Sequence, residues 1–217
     1  YERSAGAVRR EEGLGPEEGV VAGTLPHLPV TVRENGLRFL VDVREGQKTG
    51  FFLDQRDNRA LLRTLARGRR ILNAFAYTGA FSVYAAAGGA REVVAVERSP
   101  RAGELGRANW SANDLDAACE PVTADVFGYL RGTDREFDLL VLDPPALVKR
   151  RNDTHKGLRA YKDLHLWALR RAVRGAYVLT FSCSQHVPDD LFRKVVQGAA
   201  LDAARSVQVL QIGRAHV

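Results

Sequence analysis

Short apolar runs alternate with longer amphipathic stretches along this chain, in an order that predicts strands separated by helices. The run Phe137-Asp138-Leu139-Leu140-Val141-Leu142-Asp143-Pro144-Pro145 holds five apolar residues without helical spacing, which suits a parallel strand covered on both faces. Proline has no N–H to add to a ladder, so the strand must stop at Asp143 and leave that carboxylate at its C-terminal end. In open α/β sheets, ligands bind at that end. Tyr177 to Ser184 has the same character and ends in the thiol of Cys183. A helix predicted from Tyr161 to Val173, with Leu164, Leu166, Trp167, Leu169 and Ala172 on a broad apolar face, is a crossover long enough for parallel pairing of these two strands. Asp143 and Cys183 are then expected at one sheet edge.

The pattern supplies the other elements. Pro29 to Val32 and Leu37 to Val43 flank Glu34-Asn35-Gly36, a hairpin signal in which Asn-Gly provides the positive φ angles of a type I′ turn. Leu37, Phe39, Val41 and Val43 fall on one face of it. Asp54 is the expected N-cap of a helix through Leu65, ended by Gly68. Ile71 to Phe75 reads as a buried strand, Ala76 to Phe81 as a tight turn, and Phe81 to Ala87 as a helix apolar nearly all round. Glu92 to Val96 is the next strand. Ser99-Pro100 caps a helix running to about Asn109 or Trp110, and Glu120 to Ala124 is a short strand. The predicted fold is α/β, with a small β-rich domain over residues 1–50 and an α/β domain over 51–210.

Composition narrows the class. Of 217 residues, 45% are hydrophobic, enough for one α/β domain with a smaller companion. The net charge of +6, from 32 Lys and Arg against 26 Asp and Glu, suits a nucleic-acid partner but is also common in enzymes. No apolar run approaches membrane-spanning length, and the basic, Gly-rich start does not resemble a signal peptide, so a cytoplasmic location is expected. Two cysteines argue against a disulfide framework, and no metal cluster is expected. The chain contains no Met, so Tyr1 reads as an entry into the middle of a longer protein, and residues 211–217 read as a non-native tail.

The candidate chemistry clusters at strand ends. Small residues in Ala76-Tyr77-Thr78-Gly79 let backbone approach a ligand, and Glu97 follows Gly79 by 18 positions. A carboxylate about 20 residues beyond such a turn accepts hydrogen bonds from ribose hydroxyls, which favours a nucleoside-containing cofactor. Asp125 either reads an adenine amino group or caps a helix from Val126 to Leu130. Lys48, Gln55 and Arg56 border a ligand or RNA cleft, or are solvated connector residues. Lys149 and Arg150, with Arg151, Lys156, Arg159 and Lys162, make either phosphate contacts or a solvated basic loop. Cys119 reads as a core residue. Cys183 reads either as inert core or as a nucleophile. Carbon 5 of cytosine becomes reactive only after a thiolate adds at carbon 6, an adduct that Asp143 could stabilise by hydrogen-bonding the base. Such a thiol needs a nearby cation or hydrogen-bond partner to ionise, and His186 or a basic loop residue could serve.

GQKTGFFLDQR (46–56), LNAFAYTGAFSV (72–83), Glu97, FDLLVLDPP (137–145) and FSCSQHV (181–187) together resemble the class I S-adenosylmethionine-dependent methyltransferases of the large-subunit ribosomal RNA methyltransferase I type. Their order and spacing carry the match up to about residue 210. The resemblance implies a Rossmann-like catalytic domain preceded by a small β-rich domain, S-adenosylmethionine as cofactor, and 5-methylcytosine formation in 23S ribosomal RNA. It implies that Ala76, Tyr77, Thr78 and Gly79 hold the methionine part of the cofactor, Glu97 the ribose and Asp125 the adenine. Asp143 would lie between cofactor and target base, with Cys183 as nucleophile; with an RNA substrate, Lys48, Arg56, Lys149 and Arg150, read above from their charge and position, are the expected RNA contacts. Family members usually carry an N-terminal PUA domain and finish with a strand hairpin, neither expected in this chain. Many RNA 5-methylcytosine enzymes have a second cysteine after the proline motif, where this chain has Ala146. The alternatives are an amino-group or guanine-nitrogen methyltransferase, which commonly has an aromatic residue after the prolines, and a non-catalytic RNA-binding relative.

Overall fold

The computed structural model describes residues 2–4, 13, 17–115 and 118–213. Strand β1 (Glu2–Ser4) pairs antiparallel with β2 (Glu17–Gly19), a pairing that no alternation in the charged opening announces. Strands β3 (Val30–Glu34) and β4 (Leu37–Val41) form the expected hairpin, with Asn35 and Gly36 at φ 49° and 83°. A 3-10 turn, Leu53–Gln55, leads into α1 (Arg56–Leu65). The chain then alternates β5 (Arg70–Ala74), α2 (Ala80–Ala87), β6 (Glu92–Glu97), α3 (Pro100–Ser111), β7 (Cys119–Thr123), α4 (Val126–Gly132), β8 (Phe137–Leu142), α5 (Thr154–Arg171), β9 (Ala172–Thr180) and α6 (Asp189–Asp202).

Five strands form one parallel sheet in the order β7-β6-β5-β8-β9. The pleat sends Leu72, Ala74, Leu140 and Leu142 to a layer completed by Leu130, Leu164 and Ala168. Ile71, Leu139 and Val141 go to the opposite layer, with Leu62 and Ala66 from the α1 side and Phe81 and Ala85 from α2. Both faces are therefore covered, the reason these strands are apolar almost throughout. The chain first runs outward from β5 to β7, then returns to β8 beside β5. This reversal opens a crevice at the C-terminal ends of β5 and β8, beside Asp143. Pro121 is tolerated because β7 is an edge strand.

The hairpin is fastened to the helices. Leu37, Phe39 and Val41 pack against Phe51, Val83, Tyr84 and Trp110. Beneath them Glu34 accepts Nε and Nη2 of Arg59, each at 2.8 Å, and the Tyr84 hydroxyl at 2.9 Å. Burial and this carboxylate push the Tyr84 phenol up to about 12. Arg59 also donates to Phe52 O at 2.8 Å, tying the loop after the hairpin to the same ion pair.

Several sequence expectations shift. Asp54 lies inside the 3-10 turn, and Gln55 occupies the N-cap of α1 without capping a backbone N–H through its side chain. Helix α5 begins at Thr154 rather than Tyr161, so Lys156 and Arg159 join Lys162 on a helix instead of lying in a basic loop. Strand β9 begins at Ala172 and ends at Thr180, so Cys183 stands beyond the ladder, where Phe181 N still donates to Leu142 O at 2.9 Å. No strand forms over residues 205–213, and Val209, Leu210 and Ile212 are exposed. Of the tail expected over 211–217, residues 214–217 lie outside the described residues. Among the described residues, no helix is long and apolar enough to cross a membrane, and no cluster of metal-ligating side chains forms.

Candidate active site

The turn after β5 is an unusual piece of backbone. Phe75, Tyr77 and Gly79 all have positive φ, at 59°, 48° and 74°, a conformation that costs an ordinary side chain about 1–2 kcal/mol. Partners on every side hold it. Ala76 N donates to Val96 O at 3.0 Å, and Gly79 N to Ala76 O at 2.8 Å. Tyr77 N donates to Glu97 Oε2, and Asn109 Nδ2 to Thr78 O, both at 2.8 Å. A Cβ on Gly79 would lie 2.9 Å from Trp110 Nε1, so both the angle and the space require glycine.

Glu97 is clamped from two directions, since Ser99 N donates to its other oxygen, Oε1, at 2.8 Å. Each carboxylate oxygen retains a further lone pair, the acceptor capacity that a ribose diol needs. Ala76, Tyr77, Gly79, Glu97 and Trp110 line a narrow recess at the surface of this corner. Among the described residues the buried Nε1 of Trp110 has no hydrogen-bond partner. Small residues, a fixed acceptor and an unmatched donor make this corner fit a nucleoside cofactor. Asp125 caps α4 by accepting from Gly128 N at 2.9 Å, which resolves its capping reading and leaves its second oxygen able to accept.

Across the crevice stand the carboxylate and the thiol. Asp143 Oδ2 accepts Gln55 Nε2 at 3.3 Å, and Gln55 Oε1 in turn accepts Asn58 Nδ2 at 2.7 Å. Asp143 still touches solvent, yet dense protein surrounds its carboxylate. Burial pushes it up to about 6, with the Asp54 charge adding and Lys48 and Arg59 opposing. Cys183 is an exposed residue whose Sγ lies 3.7 Å from Pro144 O. Partial desolvation of the sulfur raises the thiol, the Asp143 charge adds to the rise, and the positive charge opposing it is that of Lys48. The expected pairing of Asp143 and Cys183 is therefore present, with Lys48 rather than His186 as the cation acting on both.

The serines flanking Cys183 explain why its side chain alone is free to face outward. Tyr161, fully buried on α5, shares its hydroxyl with Ser184 Oγ at 2.9 Å and Ser182 Oγ at 3.0 Å. Ser184 Oγ also accepts Val148 N at 3.1 Å, joining the thiol's turn to the loop after the prolines. One turn along α5, buried His165 has Nδ1 2.6 Å from Tyr161 O and Nε2 2.7 Å from Thr180 Oγ1. A carbonyl only accepts, so Nδ1 carries the proton and Nε2 accepts from the threonine. Burial lowers this imidazole to about 4 and keeps it neutral.

Other expected residues fall less centrally. Arg56 is turned toward Glu34, 3.4 Å away, and Lys149 and Arg150 are exposed on the loop after β8. Cys119 is partly buried against two core clusters, as expected. Sequence reasoning missed Asn109, which bonds Leu40 N at 2.6 Å and Thr78 O, linking hairpin to turn, and it missed the hydroxyl role of Tyr161. The only signal for them was an Asn beside Trp110 on the buried face of α3, and a Tyr on the buried face of α5.

A family model described as S-adenosylmethionine-dependent methyltransferase matches residues 22–177. A ribosomal RNA large subunit methyltransferase I of Serratia proteamaculans is 43% identical over 215 residues, covering 97% of this chain and 54% of that protein. The chain spans about half the length of the curated relatives it matches. A Streptococcus mutans structure described as a SAM-dependent methyltransferase superposes with a TM-score of 0.74 and 30% identity, over 83% of this chain and 48% of that one. A second methyltransferase structure, complexed with SAH, gives a TM-score of 0.72 and 30% identity over 82% and 48%.

Proposed function

The chain belongs to the S-adenosylmethionine-dependent methyltransferases, and from that premise we propose that it forms 5-methylcytosine in 23S ribosomal RNA through a covalent adduct with Cys183. Its cofactor is S-adenosylmethionine, which supplies an electrophilic methyl group. The observation that carries the reading is an exposed thiol beside a carboxyl with a raised pKa, across the crevice from the Glu97 corner. An enzyme methylating an amino nitrogen has no use for that thiol.

In this reading the turn from Ala76 to Gly79 seats the methionine part, Glu97 accepts the ribose hydroxyls and Asp125 accepts from the adenine amino group. Lys48 supplies the positive charge that helps Cys183 ionise. The thiolate adds to carbon 6 of cytosine, and the electron pair displaced from the 5,6 double bond makes carbon 5 nucleophilic toward the methyl group. Charge then builds on the ring at nitrogen 3 and oxygen 2. Asp143, titrating near 6, can meet it with a proton shared to nitrogen 3. Transfer of the carbon 5 proton to a solvent base re-forms the 5,6 double bond as the carbon–sulfur bond breaks and the thiolate leaves, and the proton shared with nitrogen 3 returns to Asp143. Lys149, Arg150 and Arg56 contribute phosphate contacts around the crevice. The small β-rich domain, residues 1–50, precedes the catalytic domain, residues 51–210, and the enzyme works in the cytoplasm.

The test is methyl transfer from labelled S-adenosylmethionine to unmodified large-subunit RNA, with the product nucleoside identified after digestion. We expect 5-methylcytosine, and no product from Cys183→Ala with S-adenosylmethionine affinity unchanged. A different methylated base, or an active variant, would replace this reading with an amino-group or guanine-nitrogen methyltransferase.

A further inference from the structure

At the opposite pole of the sheet, the N-terminal ends of the strands flank an open groove of about 440 Å³ whose lining includes Arg67, Arg69, Arg70, Arg91, Arg174 and Asp138. Five guanidinium groups thus face a single carboxylate. Two of the arginines are engaged within the fold. Arg70 holds Asp138 through its backbone N at 2.8 Å and its Nε at 3.2 Å, and Arg69 bonds Leu65 O while its guanidinium lies 5.0 Å from the Tyr177 ring centre. Among the described residues, the side chains of Arg67, Arg91 and Arg174 make no ion pair or hydrogen bond, and all three residues are exposed.

Arg174 is brought to the groove by an irregularity in β9. Phe137 pairs with Ala172 and Leu139 with Tyr177, so β9 spends five residues where β8 spends two. The extra residues loop out through Gly175 at φ 79°. A bulge of this kind breaks the ladder and re-aims a side chain. Its product here is a fifth arginine beside four others, where Asp138 neutralises Arg70 and Glu92 and Glu136 act on it from nearby, and the three remaining exposed guanidiniums leave a net positive field that attracts an anion. Arginine presents planar, paired donors that match a phosphate.

From this groove we infer that the chain has a second RNA-binding surface, in which Arg67, Arg91 and Arg174 grip backbone phosphates remote from the target base. The inference rests on the RNA-substrate reading above. The five-residue strand β5 separates the two edges by about 16 Å, at roughly 3.3 Å per residue. Only RNA that folds around the side of the domain can occupy both places. The groove would then select structured RNA over a short single strand holding the same cytosine.

The experiment measures RNA affinity against salt concentration for the chain, for the triple variant Arg67→Ala, Arg91→Ala, Arg174→Ala, and for a control triple of exposed arginines, Arg33→Ala, Arg107→Ala, Arg193→Ala, that removes the same formal charge. Two RNAs are compared, a structured large-subunit RNA fragment and a short oligonucleotide from it. For the groove variant on structured RNA we expect affinity to fall at least about ten-fold and the salt slope by about 2–3, near 0.7–0.9 for each phosphate no longer neutralised. The control triple and the short oligonucleotide show much smaller changes, S-adenosylmethionine affinity stays the same, and an Arg→Lys triple keeps most of the slope. Equal losses in both triples, or no loss in the groove triple, overturn the inference while leaving the methylation reading intact. If the unaltered chain binds neither RNA, both fall.

Discussion

The two sides of the crevice are built by different means. On the cofactor side, the turn from Phe75 to Gly79 and the Glu97 carboxylate are fixed by main-chain donors, with Tyr77 N and Ser99 N each taking one oxygen. On the thiol side, the turn around Cys183 hangs from side-chain hydroxyls, Ser182 and Ser184 on Tyr161, above a neutral buried histidine. The thiol side has Asp143 near 6 and a thiol pushed upward. A nucleoside presents the same hydroxyls at every turnover, and a rigid backbone clamp suits it. A base that must be attacked and released needs groups whose protonation can change.

The harshest break falls on the clamp. Replacing Glu97 with Ala strips an acceptor from two backbone amides and from the ribose, worth about 1.5–3 kcal/mol for each hydrogen bond to a charged group. We expect S-adenosylmethionine binding measured by calorimetry to weaken at least about 100-fold, while alkylation of Cys183 by iodoacetamide keeps its rate within about two-fold. A matching change in thiol reactivity would mean that the two sides are one unit.

Tyr161→Phe probes the other side. It keeps the ring in the core and removes the hydroxyl shared by both serines, leaving buried donors short of a partner at about 1–3 kcal/mol. Turnover should drop about ten- to hundred-fold, with the cofactor affinity unchanged and the pH profile of Cys183 alkylation altered. An unchanged alkylation profile would reduce Tyr161 to a packing residue.

Backbone regularity was easy to read and side-chain networks were not. The strand from Phe137 to Leu142, the Asn35-Gly36 turn, the Ser99 cap and the spacing of Glu97 follow from a continuous apolar run, glycine and local hydrogen bonding, all of which act over a few residues. The start of α5 was hidden because its first turns carry Lys156, Gly157 and Arg159 instead of an apolar stripe. Asn109 and Tyr161 join segments 31 to 69 positions apart or 21 to 23 apart, and such links leave no local signature. Lys48 was legible as a cation beside the cleft, but its action on Cys183 depends on how the Arg59–Glu34 pair holds the intervening loop.

The smallest effect concerns stability, and it separates two titrations of opposite sign. Asp143 has a folded pKa of about 6, above its ordinary 3.8. Its contribution is fully present below about pH 4, where both states are protonated, and is lost as pH rises through 6. His165 has a folded pKa of about 4, below its ordinary 6.5, so its contribution is present above 6.5 and is lost as pH falls toward 4. In the unaltered chain these slopes oppose each other and flatten the profile between pH 4 and 6.5. Asp143→Asn removes one of them. Relative to the parent it should gain about 1–2 kcal/mol between pH 4 and pH 7.5, a shift of roughly two units reduced for the solvent that still reaches the carboxylate. The variant's own melting temperature should then fall more steeply on acidification than the parent's. His165→Gln should do the reverse, its melting temperature rising relative to the parent's as pH falls from 6.5 toward 4. Parallel melting curves for Asp143→Asn and the parent across this range would mean that the carboxyl titrates near its ordinary value, and the proton it is assigned to share with the base would have to come from elsewhere.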